Sequence, residues 1–196
     1  QAYKANVVKV PGTRDDTAKA VLSAARHTYY ASHVYNPLFF EGTKSLAYEI
    51  YGQIGIPDFI VVPVGNGTML LGVYRGFSEL GRLPRIIAVQ SENCAPIYNK
   101  YHHKPEVEAK ETLAEGIAVQ RPMRIDEIIQ AVRASGGEFI TVSDDSVRKA
   151  HEHMGAMGFY IELTSSTVIA GLEYFKGMDT AGAKIVLPLT GSGLKK

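Results

Sequence analysis

The sequence predicts an α/β fold, a parallel sheet flanked by helices on both faces. Short runs of β-branched and apolar residues alternate with longer stretches of helical period, the pattern of βα units on a sheet buried on both sides. Two of the apolar runs end in glycine-rich turns. At 196 residues, with 45% hydrophobic and 21% charged residues, the chain is large enough to bury one real core.

In chain order, Gln1 to Ala5 reads as the tail of a helix, with no initiator methionine and no cap before it, so the chain is expected to begin inside a fold. Val7 to Val10 is the first expected strand, and Asp15 to Arg26 the helix behind it. A boundary is expected near Val34 to Pro37, separating residues 1–34, a small βα unit of another lobe, from a longer unit over residues 35–196. Thr43 to Ile54 is predicted helical because Leu46, Ile50 and Ile54 fall four apart on one face. Phe59 to Val64 is a strand, with a helix after Gly67, and Ile86 to Val89 is the next strand. Asn99 to Glu111, polar and carrying His102, His103 and Pro105, reads as a surface loop. Arg124 to Ala134 is helical, since Ile125, Ile128, Ile129 and Val132 repeat at i, i+3, i+4 and i+7. Phe139 to Val142 follows as a strand. Ser143 is then an N-cap, with Asp144 and Asp145 suiting the positive end of a helix running to Met157. The last strand is Ile185 to Leu189.

Composition excludes several functions. Lys+Arg of 21 against Asp+Glu of 20 gives a net charge of +1, without the one-signed surface that a nucleic-acid partner calls for. No apolar run approaches bilayer length and the N-terminus lacks a signal-peptide core, so no membrane partner is expected and the reading is cytoplasmic. The lone Cys94 rules out an internal disulfide and reads as a small core residue. His102-His103 and His151-x-His153 lack the spacing that places two imidazoles on one helical face, so no metal site is expected; there is no G-x-S-x-G nucleophile elbow.

Five segments remain as candidates for chemistry. Pro63-Val64-Gly65-Asn66-Gly67-Thr68 lies between a strand and a helix, where backbone N–H groups and a helix dipole converge on an anion such as phosphate. It lacks the Lys-Ser/Thr of a P-loop and the third glycine of a dinucleotide turn, which disfavours ATP and NAD. Leu189-Thr190-Gly191-Ser192-Gly193-Leu194-Lys195 follows the last strand, and in a parallel sheet both turns would face one crevice. Asn36 to Ser45 is an extended Asn-Pro entry into a helix start, in which Glu41 and Ser45 read as first-turn residues and Lys44 as a solvated one. Thr112 to Ala118 carries the lone carboxylate Glu115. In Phe159 to Ser166, Thr164 or Ser165 reads as an N-cap.

In order and spacing these segments resemble the C-terminal portion of the threonine synthases and their relatives, the fold type II enzymes dependent on pyridoxal 5'-phosphate. The resemblance rests on Asn36 to Ser45, Pro63 to Thr68, Ile86 to Gln90, Ser135 to Gly137, Glu162 to Ser166 and Leu189 to Lys195, and it covers nearly the whole chain. It implies that residues 35–196 are most of the large cofactor-binding lobe and 1–34 a remnant of the smaller one. It implies also that Gly65, Asn66, Gly67 and Thr68 hold the cofactor phosphate and that Thr190, with Ser192 beside it, meets the pyridine nitrogen. The family's cofactor-anchoring lysine lies upstream of the matched region, and Lys44 and Lys195 match other family positions. The chain alone is therefore expected to be inactive, and the intact enzyme to be a homodimer acting on a small amino acid.

The family usually places a basic residue between Asn-Pro and Glu-Gly for a substrate phosphate. Here Leu38, Phe39 and Phe40 stand there, and Ala114 to Ala118 is similar to a stretch of the serine and threonine dehydratases and racemases. The substrate is thus open among phosphohomoserine, serine and threonine, with a lyase acting by elimination or replacement as the leading reading. An ammonia-lyase or β-replacement enzyme of the same fold is the alternative. A non-catalytic phosphate-ligand-binding module and a dimerising scaffold are readings of other classes.

Overall fold

The computed structural model describes residues 3–12 and 14–194. Its centre is a four-stranded parallel sheet in the order β3-β2-β1-β4, built from β1 (Phe59–Pro63), β2 (Arg85–Ser91), β3 (Glu138–Val142) and β4 (Ile185–Val186). Alternate residues of the two central strands enter different cores. Ile60, Val62, Ile86 and Ala88 pack on one face with Leu70, Val73, Phe77, Ile128 and Val132. Val61, Ile87 and Val89 pack on the other with Val147, Val168 and Phe175. Burial on both faces explains why these strands read as unbroken apolar runs.

The helices follow the same partition. The first core is covered by α2 (Phe39–Thr43), α3 (Ser45–Ile54), α4 (Thr68–Glu79), α5 (Pro96–Tyr101) and α6 (Ile125–Ala134), and the second by α7 (Asp144–Ala156) and α8 (Leu163–Ala170). Helix α1 (Arg14–Ala24) precedes all of these. Ser143 caps α7 as expected, its side chain accepting from the Ser146 N–H at 3.2 Å. Cys94 is buried.

Several expectations need correction. Val7 to Val10 forms no strand: Val8 is 83% exposed, and a β-branched run without a partner strand has nothing to pair with. The helix expected at Thr43 to Ile54 is α3, which starts at Ser45, and the extended entry expected ahead of it contains the short helix α2. The loop expected from Asn99 begins only after α5, where Gln90 supplies the cap that the local sequence lacks. Strand β4, expected over Ile185 to Leu189, is only Ile185–Val186, the two residues that pair with Phe59 and Ile60 of β1. Thr164 and Ser165 are inside α8, whose N-cap is Glu162.

Candidate cofactor site

Two turns leave the carboxyl edge of the sheet from neighbouring strands. In the first, the Val64 N–H donates to the Val89 carbonyl at 2.9 Å, and Gly65-Asn66-Gly67 then carries the chain into α4. Gly67 is the N-cap at φ +78°, a conformation that disfavours any side chain, and a Cβ there would lie 2.3 Å from Ile128 Cδ1. Gly65 is buried against the backbone of Ile117, 3.1 Å from where its Cβ would be. The first N–H to Gly67 O bond of α4 comes from Leu71, at 2.9 Å. The N–H groups of residues 68–70 therefore stand at the positive end of the helix, ahead of its hydrogen-bond ladder. Beside them Thr68 Oγ1 is buried and has no hydrogen-bond partner among the described residues. A buried hydroxyl left so costs about 1–3 kcal/mol, a cost that a bound oxyanion removes.

The second turn, residues 187–194, is held from outside rather than by the sheet. Ser165 Oγ accepts the Gly191 N–H at 2.9 Å, Gly191 O accepts the Glu162 N–H at 2.9 Å, and the Gly193 N–H donates to Tyr160 O at 3.0 Å. Ile161 and Ser192 form an antiparallel bridge. A Cβ on Gly191 would fall 2.0 Å from the Glu162 carboxyl group, so that side chain lies directly over the turn. Thr190 is exposed, as is Ser192, whose Oγ accepts the Leu194 N–H at 3.2 Å. Lys195 lies outside the described residues.

A single 3₁₀ turn, Glu115–Ile117, links the two. Its backbone packs on Gly65, and the Gly116 N–H donates to Thr164 Oγ1 at 3.1 Å, one residue before the Ser165 that holds Gly191. An open hollow of about 1400 Å³ lies alongside, lined by Thr112, Glu115, Gly116, Glu162 and Thr164 among others. None of Gly65 to Thr68, Thr190 or Ser192 lines it; Gly116 and Glu162 are where it meets the contacts of the two turns. Its outer wall is anchored by Asp144, which accepts from Thr112 Oγ1 at 2.6 Å, from the Leu113 N–H at 3.2 Å and from Asn93 Nδ2 at 3.3 Å. Asp144 is thus a first-turn residue that also ties a strap to the sheet edge. Sequence reasoning missed this tie, and Ser165 with it, because each joins segments far apart in the chain.

Lys44 is not the solvated residue that its helical position suggested. It is nearly buried and ion-paired with Glu41 and, at 2.6 Å, with Glu79, which also accepts from Tyr48. Hydrogen bonding to Glu41, then Glu79, raises the ammonium's pKa above its ordinary value, and bonding to Lys44, then Tyr48, lowers that of Glu79. A lysine held so firmly in its charged form is a structural cation, not a nucleophilic amine. Among the described residues no three His, Cys, Asp or Glu side chains gather as a metal site, and no helix is long and apolar enough to cross a membrane.

The sequence model of the family described as "Pyridoxal-phosphate dependent enzyme" matches residues 1–191. Among curated proteins the chain is 35% identical to a threonine synthase of Synechocystis sp., over 98% of this chain and 52% of that protein. It is 31% identical to a threonine synthase of a Bacillus species, over 99% of this chain and 57% of that one. The chain therefore spans a little over half the length of these relatives. Among solved structures, maize serine racemase superposes with a TM-score of 0.81 at 16% identity, covering 98% of this chain and 60% of that one. Threonine deaminase isoform 2 of Solanum lycopersicum gives 0.79 at 22%, covering 97% and 57%. At these identities the two structures establish the shared fold.

Proposed function

The chain belongs to the pyridoxal-phosphate dependent enzyme family, and we propose that it supplies the phosphate and ring-nitrogen side of the cofactor site in a threonine synthase-like lyase. The observation that carries this is the buried Thr68 hydroxyl at the start of α4, which has no hydrogen-bond partner among the described residues, inside a turn where Gly67 has a positive φ. The N–H groups of Gly65, Asn66 and Gly67, with the Thr68 hydroxyl, would hold the phosphate. The Thr190 hydroxyl, in the turn after the neighbouring strand with Ser192 close to it in sequence, would meet the pyridine nitrogen. When bound, the cofactor supplies an electron sink for carbanion chemistry at an amino acid. Thr190 is neutral, and a hydroxyl at the ring nitrogen does not stabilise a protonated ring as a carboxylate does. Elimination or replacement on a small amino acid is the chemistry this favours.

On this reading residues 1–34 belong to the smaller lobe and 35–196 to the larger, and the anchoring lysine is supplied from outside the 196 residues. With Lys44 committed to Glu41 and Glu79, the chain alone would not turn over substrate. The intact protein would be a cytoplasmic homodimer. A second reading, an ammonia-lyase or β-replacement enzyme with an unphosphorylated substrate, draws on the entry to α2, where Leu38 and Phe39 are exposed apolar residues. Product analysis of the intact protein with phosphohomoserine, serine and threonine ranks these readings.

The decisive variant is Thr68→Val, which keeps the shape and removes the hydroxyl. It should stabilise the unliganded protein by about 1 kcal/mol, since an unpaired buried polar group is lost. It should also weaken cofactor binding about tenfold, equivalent to about 1.4 kcal/mol. Unchanged cofactor affinity, measured by absorbance titration of the intact protein, would remove the turn from the phosphate site.

A further inference from the structure

Gln90, the next-to-last residue of β2, has none of its surface exposed. Both ends of its carboxamide are used. Oε1 accepts the N–H groups of Ile97 at 3.0 Å and Tyr98 at 2.9 Å, which caps the start of α5, and Nε2 donates to the Val64 carbonyl at 3.2 Å. The last of these matters for the phosphate turn. The Val64 carbonyl and the Gly65 N–H belong to one planar trans peptide and point in opposite directions. Fixing that carbonyl inward on Gln90 fixes the Gly65 N–H outward. Gly65 has no side chain of its own to set that plane, and the turn it opens runs through Asn66 to the left-handed Gly67, so the peptide orientation draws on an external anchor. The same amide holds the turn and α5 in one fixed relation.

We infer that Gln90 is a positioning residue for the anion turn: its side-chain amide sets the Val64–Gly65 peptide plane and aims the first N–H donor at the cofactor phosphate. This rests on the reading of Gly65 to Thr68 as the phosphate turn. The residue acts through the backbone and touches neither cofactor nor substrate.

The test is Gln90→Glu in the intact protein. The new carboxylate keeps an acceptor for Ile97 and Tyr98 but faces the Val64 carbonyl with an oxygen instead of a donor. Affinity for pyridoxal 5'-phosphate should fall about tenfold, the effect of losing about 1.4 kcal/mol, while affinity for unphosphorylated pyridoxal stays within about twofold. The phosphorylated ligand should bind better again as the pH is lowered, beyond any trend in the wild type, because a neutral carboxylic acid regains the donor. A general loosening of the fold would weaken both ligands alike, and that outcome, or no change in either, overturns the inference. Should Gln90→Glu fail to fold, Gln90→Met is compared on the same two ligands, with the same selective loss expected and an equal loss counting against. Failure of the wild type to distinguish the two ligands would sink the phosphate-turn reading itself, a result visible before any variant is made.

Discussion

The turn after β1 and the turn after β4 leave the same sheet edge one strand apart, yet they are built on opposite principles. The first continues a strand that is paired on both sides, and its glycines are pressed between Ile128 and Ile117. The second continues a two-residue edge strand and hangs by single hydrogen bonds from the segment 160–165. One turn is fixed by close packing and by a fully buried amide, Gln90, the other by polar contacts at the exposed sheet edge. On the proposed reading, a site assembled this way would pair a rigid anchor for an anion with an adjustable arm for an aromatic ring.

The largest expected difference lies in the strands themselves. Ile60 and Val186 are register partners on β1 and β4, but Ile60 has no exposed surface and Val186 is only half-buried. Ile60→Ala should destabilise by about 2–5 kcal/mol, through lost transfer energy and the cavity left behind. Val186→Ala should cost less than about 1.5 kcal/mol, since an edge position can collapse or admit water. Denaturant unfolding of the two variants measures both. Equal losses would mean that the edge strand is as firmly held as the centre.

At the glycines the contrast should persist on a smaller scale. Gly67→Ala must adopt a left-handed conformation, at about 1–2 kcal/mol, and displace the Ile128 side chain. Gly191 has no such backbone demand, and the atoms that a Cβ would meet belong to one side chain, Glu162, rather than to backbone. Gly191→Ala should therefore cost less than Gly67→Ala, by about the 1–2 kcal/mol of the left-handed conformation. Thermal unfolding without ligand decides the ranking, and a reversal would show that Glu162 is pinned.

This contrast also marks what could be read without coordinates. The α/β class, the central strands and the two turns were legible because their signals are local: apolar runs, helical period, and glycines at strand ends. The α6 stripe of Ile125, Ile128, Ile129 and Val132 is a helix as its spacing predicts. Long-range hydrogen bonding was not legible. Nothing within ten residues of Gln90 shows that its amide reaches Val64, 26 positions away, or that Ser165 holds a glycine 26 positions further on. The error at Val7 to Val10 has the same root, since a strand is decided by its partner and not by its own residues.

Ser165 tests the adjustable arm most directly, with a small expected effect on global stability. Its hydroxyl is buried in the first turn of α8 and accepts the Gly191 N–H at 2.9 Å. In Ser165→Ala the helix keeps its backbone bonds and gains a better helix former, which offsets part of the loss. The lost hydrogen bond is worth about 0.5–1.5 kcal/mol, so the net change in global stability should be at the lower end of that range. The local change should be larger. With the Gly191 N–H released, the turn is left with the Glu162 and Gly193 backbone bonds, and the Gly191 amide should exchange its hydrogen faster, by about tenfold for each 1.4 kcal/mol of local protection lost. The amides of residues 68–71 in the first turn should exchange as before, because nothing in their support passes through Ser165. Faster exchange at both turns would mean that the 3₁₀ link through Gly116 couples them mechanically, and the division into fixed and adjustable halves would fail.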